Sequence, residues 1–172
     1  MSKKPEVIIR KERSEDAEVI AAVTIAAFKT LAISSHTEQF IVRALRDAKA
    51  LTVSLVAEIG EKIVGHIAFS PVTVADGTGG WYGLGPVSVL PDYQRQGIGM
   101  AMINEGLGIL KEAGGKGCVL VGDPAYYNRF GFINHRQLVY EGIPQEFFLA
   151  LPFGREVPRG SVLFHPGFQA VA

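Results

Sequence analysis

The sequence predicts an α/β fold with an antiparallel front half and a βαβ unit in its middle. Runs rich in β-formers alternate with segments whose apolar residues recur at helical spacing. Two early β-rich runs are joined by Gly60-Glu61, which is typical of a two-residue hairpin turn. In the middle, a strand, a glycine loop, a helical pattern and a second apolar strand follow one another. A chain of 172 residues is most simply one domain, so we expect a single domain over 1–172, with a core over 5–137 and C-terminal strands and loops over 138–172.

The front half begins with a short strand, "EVIIRKE", followed by two helices. "SEDAEVIAAVTIAAF" is predicted as the first helix, with Ser14 as its N-cap. "SHTEQFIVRALRDA" is predicted as the second, where Ser35 and Glu38 form a capping-box pattern. The second and third strands are "ALTVSLVAEI" and "KIVGHIAFSPVTVA".

The glycine loop lies between the predicted fourth and fifth strands. "WYGLGPVSVL" is the fourth strand, and Gly83, Gly85 and Pro86 within it indicate a bulge or a break in pairing. The helix after the loop ends at Gly114-Gly115. "GCVLVG" is a fifth strand, apolar on both faces, and "PAYYNRF" is a short helix with Pro124 in its first turn. "GFINHR", "EFFLALPF" and "GSVLFHPGF" supply later strands or extended segments.

Composition excludes several classes of protein. Lys plus Arg and Asp plus Glu both number 17, so the formal net charge of zero argues against a nucleic-acid binder. The single cysteine, Cys118, excludes an internal disulfide or a cysteine-based zinc site and is expected to be a buried small hydrophobe. "MSKKPEVIIR" lacks the apolar core of a secretory signal, and no run approaches 18 apolar residues. We therefore expect a cytoplasmic protein without a membrane or metal partner.

The loop "QRQGIG" at 94–99 stands between a strand and a helix N-terminus, which favours an anion, most naturally phosphate. A P-loop would need Lys-Ser/Thr after the second glycine, where the chain has Met100-Ala101. A dinucleotide fingerprint would need a third glycine at Met102 and an acid about 20 residues later, so an NAD-binding role fails as well.

Gln94-Arg95-Gln96-Gly97-Ile98-Gly99 resembles the pyrophosphate loop of the GNAT family of N-acetyltransferases, and "AYYNRFGF" resembles that family's second signature. The two motifs stand about 30 residues apart in the family's order. Within the family, the whole chain looks most like uncharacterised bacterial YhbS-type acetyltransferases. The resemblance implies a mixed, mostly antiparallel sheet with splayed fourth and fifth strands, and acetyl-CoA as cosubstrate. It implies these cofactor-binding residues: Val87, Ser88, Val89, Gln94, Arg95, Gln96, Gly97, Ile98, Gly99, Met100, Asp123 and Tyr127.

The resemblance also implies catalytic roles. The backbone N–H of Val89 is the expected oxyanion donor, and Tyr127 is the expected acid toward the leaving sulfur. Residues 81–90 contain no acid, where many members of the family place a glutamate base; His66 is the candidate base, with a hydrogen-bonded packing role as the alternative. Asp123 is either a cofactor contact or the N-cap of the short helix. Ser35, His36 and Glu38 either face substrate or form a solvated capping turn.

The predicted function is acetyl transfer from acetyl-CoA to an amine of a small molecule or peptide, whose identity the chain does not reveal. The alternative is a CoA-binding sensor or structural module without catalysis. The family often forms dimers, so a homodimer is a further expectation.

Overall fold

The computed structural model describes residues 6–172. Residues 1–5 lie outside the described residues. They include the start of the predicted core and the first half of "MSKKPEVIIR". Nine strands are present in the described part: β1 Val7–Lys11, β2 Val53–Ile59, β3 Lys62–Pro71, β4 Thr73–Val74, β5 Trp81–Val89, β6 Gly117–Val121, β7 Leu138–Val139, β8 Phe148–Pro152 and β9 Gly160–Leu163. The predicted fourth and fifth strands are therefore β5 and β6.

The main sheet has six strands in the order β1-β2-β3-β5-β6-β8. Every neighbouring pair in it is antiparallel except β5–β6, which is parallel. The predicted hairpin joins β2 to β3, with Ile59 opposite Lys62 and Gly60 at a φ of 62° that favours glycine. The prediction of a mixed, mostly antiparallel sheet flanked by helices is confirmed.

Four helices surround the sheet: α1 Ala17–Phe28, α2 Glu38–Asp47, α3 Ile98–Glu112 and α4 Pro124–Tyr127. Buried residues of α3, such as Met102 and Leu107, pack on one face with Leu55 of β2. Ile20 of α1 packs on the other face with Val56, the next residue of β2. Because successive strand residues point to opposite faces, α3 covers one side of the sheet while α1 and α2 cover the other.

The predicted third strand ends earlier than its β-rich sequence indicates. β3 stops at Pro71, and Thr73–Val74 leave the main sheet to pair with β9 in a small sheet of order β4-β9-β7. None of the helices in residues 6–172 is long and apolar enough to cross a membrane.

Both predicted caps in the front half are wrong by a few residues. Ser14 begins a 3-10 turn ahead of α1 and its hydroxyl contacts Glu15, so it does not cap the helix. The predicted box at Ser35 fails because α2 begins only at Glu38, and it is the hydroxyl of Ser34 that donates to the Glu38 carboxylate. Glu38 is thus buried and hydrogen-bonded within its own turn.

Candidate active site

A gap opens between β5 and β6 in the middle of the main sheet. The two strands pair only from Trp81–Gly83 to Gly117–Val119. Beyond that point β6 stays paired with β8, while β5 stays paired with β3. The separation begins next to Gly85-Pro86, where the β3–β5 register shifts and Gly85 has a φ of 134°. The break in pairing predicted from these residues and the splay that the resemblance implies are both confirmed.

The backbone of β5 presents hydrogen-bond donors to the gap. The N–H of Leu90 donates to the carbonyl of Val64 at 2.8 Å, which makes Val89 and Gly65 a pair without mutual hydrogen bonds. By the alternation of an antiparallel ladder, the N–H groups of Val87 and Val89 point away from β3 toward the gap. The carbonyl of Val89 accepts from Gln94 Nε2 at 3.0 Å, which ties the loop to the strand.

The glycine loop at 94–99 places further unpaired backbone N–H groups at the end of this gap. Gly97 lies in the left-handed region at a φ of 83°, and its carbonyl accepts the first helical bond of α3, from Ala101. The N–H groups of Ile98, Gly99 and Met100 therefore have no partner in the helix. Together with the helix dipole, they form an anion site.

A cleft of about 570 Å³ joins the loop to the gap. Among residues 6–172, two arginines and no carboxylate line it, so its charge is positive. Its lining residues are Val87, Val89, Tyr93, Gln94, Arg95, Gly97, Ile98, Gly99, Met100, Tyr126 and Arg129.

A larger cleft of about 670 Å³ lies beside Trp81 at the other end of β5. Asp76 and Glu156 offset Lys116 and Arg155 there. We favour the smaller cleft as the active site because free backbone donors and unopposed arginines converge on it.

Most predicted cofactor residues line the cleft, but four do not. Gln96 is exposed and turns back to the carbonyl of Asp92 at 3.4 Å. Ser88 points its side chain to the α1–α2 face, and its backbone pairs with His66 on β3. Asp123 accepts from the N–H of Ala125 at 2.9 Å, the geometry of an N-cap. Tyr127 lies on the β6 side of the gap.

Tyr127 packs over the end of β6. A side chain at Gly122 would come within 2.5 Å of the Tyr127 ring, so the glycine is what allows this contact. The ring also meets Tyr126 and Phe132 edge to face. Burial raises the pKa of Tyr127 to about 12, so its hydroxyl keeps its proton at neutral pH.

Three residues that line the cleft are absent from the cofactor-binding residues predicted from the sequence: Tyr93, Tyr126 and Arg129. Tyr126 lines the cleft, with its hydroxyl 3.6 Å from the position of a Cβ at Gly99. Arg129 stacks its guanidinium 4.6 Å above the Tyr126 ring and donates from Nε to the Tyr126 carbonyl at 2.9 Å. Their spacing of three residues on a helical turn was the available signal.

His66 lies on the α1–α2 face, away from the cleft lining, and is fully buried. Its Nε2 is 2.8 Å from Ser54 Oγ and 3.8 Å from a carboxylate oxygen of Glu12. Burial lowers the pKa of His66 and keeps the ring neutral. His66 is therefore hydrogen-bonded, as its alternative packing role predicts. To act as a base, it would have to receive a proton from the gap at the α1–α2 face of the sheet.

No group of three or more His, Cys, Asp or Glu residues within 6–172 could hold a metal ion. Cys118 is buried, and burial raises the pKa of its thiol, as expected of a structural cysteine.

Comparison with known proteins relates this site to one family. A family model described as the acetyltransferase (GNAT) family matches residues 16–132. The uncharacterized N-acetyltransferase YhbS of Escherichia coli K12 is 39% identical over 127 residues, which are 73% of each chain. Its crystal structure in complex with CoA has a TM-score of 0.89 at 32% identity, over 100% of this chain and 97% of that one. A GNAT family acetyltransferase from Brucella melitensis, crystallised with acetyl-CoA, has a TM-score of 0.85 at 50% identity, over 96% and 99% of the two chains.

Proposed function

Because the chain belongs to the GNAT family of acetyltransferases, we propose that it transfers an acetyl group from acetyl-CoA to the amine of a small molecule or peptide. The observation that carries the proposal is the continuous path from the positive cleft at Gly97–Gly99 into the gap between β5 and β6. The relatives crystallised with acetyl-CoA or CoA support the same donor.

The chain's own residues fit this donor. The free N–H groups of Ile98, Gly99 and Met100 would hold the diphosphate, and Arg95 and Arg129 add positive charge beside it. The N–H of Val87 would pair with the amide-containing arm, as a neighbouring strand would. The donor supplies the thioester carbonyl on which the reaction takes place.

Three groups would serve the acyl transfer itself. The N–H of Val89 is directed into the gap and would stabilise the oxyanion, since a fixed donor in a desolvated site acts without reorganisation. Tyr127, protonated at neutral pH, would donate its proton to the departing sulfur. We propose His66 as the proton acceptor, although it must work through an intermediate group.

The alternative, a CoA-binding module without catalysis, is favoured by one observation: β5 carries no carboxylate at any position from Trp81 to Val89. The test is thiol release from acetyl-CoA in the presence of a broad amine panel, with mass spectrometry of the amine. Acetylation of any amine with matching thiol release supports the enzyme. Tight binding of CoA without turnover across the panel supports the module.

We also propose a single domain over 1–172, a cytoplasmic location, pairing into a homodimer, and no nucleic-acid partner. Size-exclusion chromatography with light scattering measures the oligomeric state directly.

A further inference from the structure

A partly buried polar cluster, with His66 as its fully buried member, lies between the main sheet and the helices α1 and α2. Glu12 follows β1, and its N–H donates to the carbonyl of Ser54 at 3.0 Å. Ser54 lies opposite Ala68, two residues from His66 on β3, so its side chain is on the same face as the His66 ring. We call Glu12, Ser54 and His66 the Glu12 relay.

The hydrogen bonds of the relay determine where its protons are. Burial alone would raise the pKa of Glu12, but the charge and hydrogen bonds of Arg46 and the hydrogen bond from Ser54 lower it well below its usual range. Arg46 donates to the carboxylate from Nε at 2.7 Å and from a terminal nitrogen at 3.0 Å. Because an ionised carboxylate can only accept, the Ser54 hydroxyl gives its one proton to Glu12.

The tautomer of His66 follows from this. With its proton committed to Glu12, Ser54 Oγ can only accept from His66 Nε2, 2.8 Å away. In the neutral ring the proton is then on Nε2, and Nδ1 carries a lone pair. Nδ1 is buried and has no hydrogen-bond partner within the described residues.

A second buried polar atom without a partner in that part of the chain is Ser88 Oγ. Ser88 lies directly opposite His66 in the β3–β5 ladder, so the two side chains share a face with Cβ atoms about 5 Å apart. Ser88 is also the residue before Val89, the proposed oxyanion donor. The two atoms share no direct hydrogen bond, so one bridging water between Nδ1 and the Ser88 hydroxyl would connect His66 to the strand that borders the gap.

We propose that His66 Nδ1 receives the proton of the acceptor amine through Ser88, and that Glu12 and Ser54 are positioning residues that hold His66 in the Nε2–H tautomer. This inference rests on the proposed acetyl transfer. No residue of β5 need then be acidic, which accounts for the absence of a carboxylate on that strand.

The protons of the reaction balance. An ammonium acceptor loses two protons as its nitrogen forms the C–N bond and the C–S bond of the thioester breaks. One of them restores the proton that Tyr127 gives to the sulfur. The other passes through Ser88 to His66 Nδ1, which becomes an imidazolium facing the Glu12 carboxylate before it releases the proton to solvent.

The pKa of His66 should move in a definite direction when the charge of Glu12 is removed, because few charged groups face the ring. Burial has the largest effect and lowers the pKa of His66; Glu12 from the end of β1 opposes this, and Arg46 from α2 lowers the pKa further. The buried residues of α1 are the uncharged Ile20, Val23 and Thr24. Removal of the Glu12 charge should therefore lower the pKa of His66 further and weaken it as a base.

The experiment combines histidine ¹⁵N NMR with steady-state kinetics on four proteins: the wild type, Glu12→Gln, Ser88→Ala and the control Glu58→Gln. Glu58 is a matched control because its carboxylate binds Arg10 at 2.9 Å on another part of β2. We expect His66 of the wild type to be neutral and Nε2-protonated near pH 7.

The variants distinguish a role of the Glu12 relay in proton transfer from a purely structural role. Glu12→Gln can donate its amide to Ser54 Oγ, which frees the Ser54 hydroxyl to donate to Nε2, so the tautomer should shift to Nδ1–H and kcat should fall at least tenfold. Ser88→Ala should lower kcat to a similar extent with the tautomer unchanged. Glu58→Gln should change neither.

An Nδ1–H tautomer or an imidazolium in the wild type overturns the inference even if Glu12→Gln does not fold. So does wild-type turnover that is retained in folded Glu12→Gln or Ser88→Ala. These outcomes differ from failure of the proposed function, in which the wild type itself acetylates no amine and the inference falls with it.

Discussion

Replacement of Gly99 by glutamate would place a carboxylate at the helix N-terminus where we propose that the diphosphate binds. A Cβ at this position meets Tyr126 Oη at 3.6 Å and Val89 Cγ2 at 4.0 Å, which are ordinary van der Waals distances. The fold should therefore accept the change. Replacing a helical glycine also gains up to about 1 kcal/mol of helix propensity, and an acid near a helix N-terminus is favourable.

The effect on binding should be large by comparison. Two unit charges about 4 Å apart near a protein surface repel by about 4 kcal/mol, and salt reduces this. Since about 1.4 kcal/mol is a factor of ten in affinity, we expect the Kd for acetyl-CoA to rise by about 10- to 1,000-fold.

Calorimetric titration with acetyl-CoA measures this change, and thermal melts give a second readout. A ligand at 100 times its Kd stabilises the native state by about 2.7 kcal/mol, which for a chain of this length corresponds to a rise in Tm of about 5–10 °C. At the same ligand concentration the rise in Tm should be smaller in Gly99→Glu than in the wild type by about half or more.

Gly108→Glu is the matched control. Gly108 lies further along α3, and a Cβ there has no neighbour within 4 Å. The same chemical change should leave acetyl-CoA binding at the wild-type level. A folded Gly99→Glu protein with the wild-type Kd would refute the assignment of the diphosphate to this helix N-terminus.

Three further predictions concern the acid, the fold's pH dependence and the cysteine. Tyr127→Phe should lower kcat by about 10²–10⁴-fold while acetyl-CoA binding is retained. Tyr140→Phe, in the aromatic cluster with Phe148, is the control and should keep full kcat. Equal kcat values for the two variants would contradict the role of Tyr127 as the acid. The hydrogen bond and charge of Arg10 lower the pKa of Asp16, so the contribution of Asp16 to stability is present above its unfolded pKa of about 3.9 and is lost as pH falls through the folded value. In thermal melts over this pH range, the Tm of Asp16→Asn should therefore fall less than the Tm of the wild type. Equal falls in Tm for the two proteins would contradict this. Cys118 should resist a thiol reagent such as a maleimide until the protein unfolds, and fast labelling of the native protein would show that it is not buried.

Features encoded by a short stretch of chain could be predicted from the sequence. The loop at 94–99 specifies its own conformation, because Gly97 needs a positive φ and the apolar spacing of α3 follows at once. Gly85-Pro86 likewise weakens the pairing of one strand by itself, which is why a break in the pairing of β5 was predictable.

Features that depend on how strands align could not be predicted. Glu12, Ser54 and His66 are separated by 42 and 12 positions, and only the register of β1, β2 and β3 brings them to one face. A shift of one residue in that register would send a strand's side chains to the opposite face. The capping errors at Ser14 and Ser35 have a simpler cause, since polar residues are adjacent there and helix ends are defined only to within one or two residues.

A crystal structure of the wild type with acetyl-CoA tests the central claim most directly. The account predicts diphosphate oxygens within hydrogen-bond distance, about 2.7–3.2 Å, of the N–H groups of Ile98, Gly99 and Met100. It also predicts the thioester oxygen on the N–H of Val89, with the sulfur on the side of Tyr127. A donor bound in the cleft beside Trp81, or a thioester outside the gap between β5 and β6, would contradict it.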